Sequence, residues 1–66
     1  MQILVNGKTR AAAEGITIAA LLGELDLAGK RLAVEVNEDV VPRSQYPQHG
    51  LCDGDRVEIV HAIGGG

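Results

Sequence analysis

Apolar and polar positions at the start of the chain predict a β-hairpin. The run Gln2–Val5 is aliphatic and partly β-branched, and Asn6 and Gly7 follow it directly. Both central residues of a tight hairpin turn need positive φ, so Asn-Gly after such a run is a strong hairpin signal. The turn predicts a return strand over residues 9–14. The alanines at positions 11–13 prefer helix, but three alanines cannot nucleate one.

One amphipathic helix is expected next. Four apolar residues recur at i, i+3, i+4 and i+7: Ile18, Leu21, Leu22 and Leu25. Thr17 is the expected N-cap, and Ile16 with Leu21 would form a hydrophobic staple across it. Gly29 is the expected stop signal. The pattern therefore predicts a helix over residues 18–26.

The middle of the chain predicts two further strands. Residues 32–37 alternate, with Val34 and Val36 on one face. After a turn, residues 40–41 form a short strand that is followed by Pro42. Because proline has no N–H to donate to a ladder, this short strand belongs at a sheet edge.

The end of the chain predicts a loop over residues 45–50, a turn over 53–55 and a last strand over 56–62. One helix packed on a mixed sheet of four or five strands is the economical α+β arrangement for this order. We expect a single domain over residues 1–62 and a flexible tail over 63–66.

Composition limits the function classes. A chain of 66 residues cannot enclose a large active-site cleft, which argues against a self-sufficient enzyme. A net charge of −3 and the absence of Trp and Phe argue against nucleic-acid binding. A single cysteine and no long apolar run indicate a cytoplasmic domain that does not enter membranes. The core is expected to consist of Val, Ile, Leu and Ala.

Candidate side-chain chemistry is sparse. Cys52 has no cationic neighbour in sequence, so we expect a small buried residue rather than a nucleophile. His49 and His61 are far apart, and one cysteine is too few for a zinc site. Three acidic residues lie near the last turn: Asp53, Asp55 and Glu58. Their spacing does not match a calcium loop, and a solvated patch that faces a partner is expected instead. We expect no catalytic and no metal-binding residue.

The end of the sequence offers a different chemistry. Ile63 leads into Gly64, Gly65 and Gly66. A frayed glycine tail is the plain alternative. Glycines without side chains can, however, enter a narrow slot in another protein. The α-carboxylate at the tip would become an acyl donor if a partner enzyme adenylated it with ATP, and the chain would then be a substrate rather than a catalyst.

Three segments carry a resemblance to a known family. They are residues 1–7 (MQILVNG), 37–45 (NEDVVPRSQ) and 53–66 (DGDRVEIVHAIGGG). Together they resemble the ThiS family, the sulfur carriers of thiamine biosynthesis. The resemblance implies the ubiquitin-like β-grasp fold.

The resemblance also implies a reaction sequence. A ThiF-like adenylyltransferase would use MgATP to adenylate the carboxylate of Gly66. Sulfur from a cysteine-desulfurase persulfide would displace AMP and leave a thiocarboxylate, so the sulfur would be carried covalently on Gly66. Thiazole synthase, ThiG, would accept that sulfur, and the chain itself would bind no cofactor. Ile63, Gly64 and Gly65 would serve recognition of the tail by these partners.

A partner surface is expected on the sheet. Leu4, Val60 and Ala62 would lie opposite the helix if Ile3 and its in-register neighbours form the core. Three alternatives stay open: the small subunit of molybdopterin synthase, a protein modifier conjugated through Gly66, and a plain binding module. Only Lys8 and Lys30 could accept conjugation within the chain.

Overall fold

The computed structural model describes residues 1–61, which form a five-stranded mixed sheet with one α-helix. In chain order the elements are β1 (Gln2–Val5), β2 (Lys8–Ala11), α1 (Ile18–Glu24), β3 (Leu32–Val36), β4 (Asp39–Val41), a 3₁₀ turn (Arg43–Gln45) and β5 (Arg56–His61). The strand order across the sheet is β2-β1-β5-β3-β4. Among the strand pairs of residues 1–61, only β1 and β5 run parallel. The α+β architecture predicted from the sequence pattern is confirmed.

The first hairpin turns at Asn6 and Gly7, whose φ angles of 50° and 82° are those of the predicted tight turn. The predicted bounds of its return strand were wrong at both ends. β2 begins at Lys8, opposite Val5, and its ladder ends with the Gln2–Ala11 pair. Two hydrogen bonds between Met1 and Ala12, at 2.8 and 3.0 Å, follow this pair, and a turn begins at Glu14, where the return strand was expected to continue.

The helix begins as predicted but ends early. The hydroxyl of Thr17 accepts a hydrogen bond from the Ala20 N–H at 3.1 Å, which confirms the N-cap. At the other end, the Asp26 N–H donates to the Gly23 carbonyl and the Leu27 N–H donates to the Leu22 carbonyl. These two bonds, with Asp26 at φ 61°, form a Schellman motif. An aspartate therefore ends the helix, and Gly29 lies in the turn that follows.

A second tight turn joins β3 to β4, with positive φ at Asn37 and Glu38. β3 ends at Val36, one residue earlier than predicted, because Asn37 already belongs to this turn. The expectation that the short strand before Pro42 lies at a sheet edge is confirmed.

The core lies between the helix and one face of the sheet. Its fully buried side chains are Ile3, Ile18, Leu21, Val34 and Val57. The expected restriction of the core to small aliphatic residues was wrong, because Tyr46 is 7% exposed and belongs to it. The prediction that Cys52 is buried was also wrong. Leu51 points into the core, and the turn that follows carries Cys52 outward.

Candidate functional site

The fold places β5 in the middle of the sheet, between β1 and β3. β5 ends at His61, which shares the core face of the strand but is exposed. It pairs with Leu32 at the end of the sheet. The residues predicted to function as the tail come next in sequence and lie outside the described residues: Ile63, Gly64, Gly65 and Gly66. The described part of the candidate site is therefore the end of β5 and the sheet face around it.

The side chain of Asn6 extends the pairing between β1 and β5. The main-chain register of these strands ends with Val5 opposite Val57, and the Asn6 N–H donates to the Val57 carbonyl at 2.9 Å. The side-chain amide continues the ladder by one step. Its Oδ1 accepts from the Ile59 N–H at 2.7 Å, and its Nδ2 donates to the Ile59 carbonyl at 3.3 Å. Both polar groups of the Ile59 main chain are thereby satisfied on this side.

Asn37 makes a corresponding contact at the start of β5. Its Oδ1 accepts from the Arg56 N–H at 3.0 Å, and its Nδ2 donates to Asp55 at 3.0 Å. Both asparagines are the first positive-φ residue of a tight turn, at 50° and 52°. The sequence identified them as turn residues only, and no signal in the sequence points to their contacts with β5.

Two of the three residues of the predicted partner surface lie on one face of the sheet. The register puts Leu4 opposite Arg56, so Leu4 and Val60 lie on the same outer face, away from the helix. They lie four residues apart along the sheet, roughly 13 Å at the rise of a β-strand. Val60 is 58% exposed and pairs with Ala33 on β3, while Leu4 is half-buried. Ala62, the third predicted member, lies outside the described residues.

Charge on this outer face is predominantly negative near β5. Glu35 and Glu58 stand directly opposite each other on β3 and β5. Like charges in that position are unfavourable to the sheet. Arg56 shares the face and lies 3.7 Å from Glu38 in an exposed ion pair. The surface around Val60 therefore combines an exposed apolar side chain with two adjacent carboxylates.

The three acidic residues expected to form one patch have separate roles. Asp55 accepts from the Cys52 N–H at 2.8 Å and from Asn37, so it stabilises the turn before β5. Asp53 accepts from the Gln2 N–H at 2.7 Å and ties that turn to β1. Glu58 alone points from the outer face of the sheet. Two of the three carboxylates therefore bind backbone N–H groups, and the expectation that they form a solvated patch facing a partner stays a prediction.

An open groove of 410 Å³ lies beside the first hairpin and the end of α1; its lining residues are Val5, Asn6, Lys8, Thr9, Arg10 and Leu25. Arg10 forms an ion pair with Glu24 at 3.2 Å there. Within residues 1–61, no group of three or more His, Cys, Asp or Glu side chains could hold a metal ion.

In the part of the chain that the structure describes, no helix has the length and apolar character needed to cross a bilayer.

Comparison with known proteins places the chain in a family. The ThiS family model matches residues 3–66. The sulfur carrier protein ThiS of Escherichia coli is 39% identical over 66 residues, which are 100% of both chains. A thiazole synthase of Paramagnetospirillum magneticum is 46% identical over the same 66 residues, but the chain spans only 20% of that protein's length.

A solved structure agrees with the fold. The crystal structure of the thiamine biosynthesis protein ThiS from Geobacter metallireducens superposes with a TM-score of 0.87 at 35% identity and covers 100% of both chains. The β-grasp fold implied by the resemblance is confirmed by this match. The chain therefore belongs to the ThiS family.

Proposed function

We propose that this chain is a sulfur carrier of thiamine biosynthesis, with the sulfur held as a thiocarboxylate on Gly66. The observation that supports this most directly is the identity of 39% with the E. coli sulfur carrier over the full length of both chains. The family match extends to Gly66 itself. In this role the chain acts as a co-substrate of its partner enzymes.

The proposed chemistry uses the carboxylate of Gly66. One carboxylate oxygen attacks the α-phosphorus of MgATP on a ThiF-like enzyme, and pyrophosphate leaves. The terminal sulfur of a cysteine-desulfurase persulfide then attacks the acyl carbon, and AMP leaves. A second thiolate then attacks the cysteine sulfur of the resulting acyl disulfide. The S–S bond breaks, the thiocarboxylate leaves with the bonding electron pair, and a new disulfide forms between the thiol and the desulfurase cysteine. Adenylation is needed because a free carboxylate has no good leaving group.

The proposed acceptor of the sulfur is thiazole synthase, ThiG. Support comes from two thiazole synthases that contain a region similar to this whole chain, from P. magneticum and, at 42% identity, from Magnetococcus marinus. A carrier domain and its acceptor enzyme that occur in one polypeptide act at high effective concentration. We propose that this chain meets the same class of acceptor.

We propose that partner enzymes recognise both the tail and the outer sheet face of this chain. Ile63, Gly64 and Gly65 would thread the narrow entrance to the partner's active site, because glycine adds no side chain to the main chain. The outer sheet face around Val60, with Leu4 and Ala62, would dock against the partner's surface. The folded body would thereby hold the reactive end at a set distance from the docking surface.

Intact-mass spectrometry tests the proposed function. The 66-residue chain is incubated with a ThiF-like enzyme, MgATP, a cysteine desulfurase and cysteine. We expect a gain of about 16 Da, since one oxygen is replaced by sulfur. A chain without Gly66 is the control and should gain nothing while keeping the thermal unfolding midpoint of the intact chain. An unchanged mass of the intact chain would refute the proposal, and adducts on lysines of other proteins would favour a protein modifier.

A further inference from the structure

We infer that Asn6 is a positioning residue for sulfur loading, because its side chain holds the second half of β5, the strand that leads to the tail. This inference rests on the proposed function and deepens it. Ile59 precedes Gly66 by seven residues. The position of Ile59 and the direction of β5 at this residue therefore limit the positions that the carboxylate of Gly66 can reach.

The geometry at Ile59 explains why a side chain is needed there. The chain leaves β1 at Asn6 to make the first hairpin, so β1 offers no main-chain partner to β5 beyond Val57. Asn6 fills this gap with one donor and one acceptor, both directed at the main chain of Ile59. On the other flank, β3 continues to pair with β5 as far as His61. With Asn6 in place, β5 is held from both sides as far as Ile59.

The chemistry of the amide is specific to this task. Asparagine tolerates the positive φ of the turn and presents an acceptor and a donor side by side. Aspartate would keep the acceptor for the Ile59 N–H but would lose the donor to the Ile59 carbonyl. Glycine would keep the turn and remove both hydrogen bonds. These two substitutions therefore separate the turn function of Asn6 from its contact with β5.

Asn37 is a matched control within the same molecule. It has nearly the same φ, occupies the same position in a tight turn and also hydrogen-bonds to β5, but at Arg56, the start of the strand. Asn37→Gly removes a comparable set of hydrogen bonds far from the tail. If the substitutions only lower the stability of the fold, Asn6→Gly and Asn37→Gly should impair sulfur loading similarly. If Asn6 positions the tail, only Asn6→Gly should impair it.

The decisive experiment measures sulfur loading by intact mass at varied concentrations of the full chain, for wild type, Asn6→Gly, Asn6→Asp and Asn37→Gly. The temperature is kept well below every unfolding midpoint. We expect KM to rise about fivefold to tenfold in Asn6→Gly with kcat within twofold, since fewer chains present the tail in the competent position. Asn6→Asp should lie between this variant and wild type, and Asn37→Gly should stay within twofold of wild type.

Amide hydrogen exchange supplies the structural readout. Exchange at Ile59 should accelerate at least tenfold in Asn6→Gly but not in Asn37→Gly, and exchange at Arg56 should show the reverse. An unchanged KM in Asn6→Gly, or equal rises in KM in both glycine variants, would overturn the inference about Asn6. As long as the wild-type chain is loaded with sulfur, the proposed function would still hold. Absence of loading in wild type would overturn the proposed function and the inference with it.

Discussion

Replacing Val60 by alanine tests whether the outer sheet face is the docking surface of the partner enzymes. The substitution removes two methyl groups from a side chain that is 58% exposed in the free chain. Burial of a methylene-sized group contributes about 0.8 kcal/mol, so complete burial of the exposed part on docking would contribute about 0.9 kcal/mol. Val60→Ala should therefore weaken binding about fivefold.

Val40 provides the matched control for this prediction. It is an exposed valine on the same outer face, 68% exposed, but it lies on the edge strand β4. The register pairs it with Glu35, two residues along β3 from the partner of Val60. Both substitutions remove the same groups from strands of one sheet, so general effects on stability should be similar.

Isothermal titration calorimetry of each variant with the ThiF-like enzyme and, separately, with thiazole synthase measures the effect. We expect Kd to rise about fivefold for Val60→Ala with at least one partner and to stay within twofold for Val40→Ala. Equal losses for the two variants, or no loss for Val60→Ala with either partner, would refute the assignment of this face as the docking surface.

Two further predictions concern the folded body. Leu21→Ala should lower the free energy of unfolding by about 3 kcal/mol, because Leu21 is fully buried on the side of the helix that faces the core. Urea denaturation measures this loss, and a loss below about 1.5 kcal/mol would contradict the central place of Leu21 in the core. Asp26→Gly should raise the free energy of unfolding by about 0.5–1 kcal/mol, since it relieves a positive φ of 61° in a non-glycine residue and removes a negative charge from the helix C-terminus. A midpoint of thermal unfolding that stays the same or falls would show that the aspartate side chain compensates for its strained backbone.

Local signals in the sequence were sufficient for much of the fold. The turn at Asn6 and Gly7, the N-cap at Thr17 and the helical spacing after it depend on residues close together in the chain. Such features are determined by backbone conformation and short-range hydrogen bonds, which the identity of a few neighbouring residues specifies. The glycine tail and its proposed chemistry also follow from sequence, because they involve the main chain rather than a pocket.

Contacts between distant segments decided the rest. The burial of Tyr46 is one example, because a hydrogen bond of 3.0 Å from the first turn of the helix to the Tyr46 carbonyl holds this loop residue beside the core. The end of the helix is a local feature that the sequence pattern also missed, since Asp26 rather than Gly29 adopts the positive φ that ends it. The contact between Asn6 and Ile59 spans 53 residues and exists only because β1 and β5 lie side by side and parallel. A side chain's partner across a sheet is set by topology and register, and these arise from the packing of the whole chain rather than from the residues beside it.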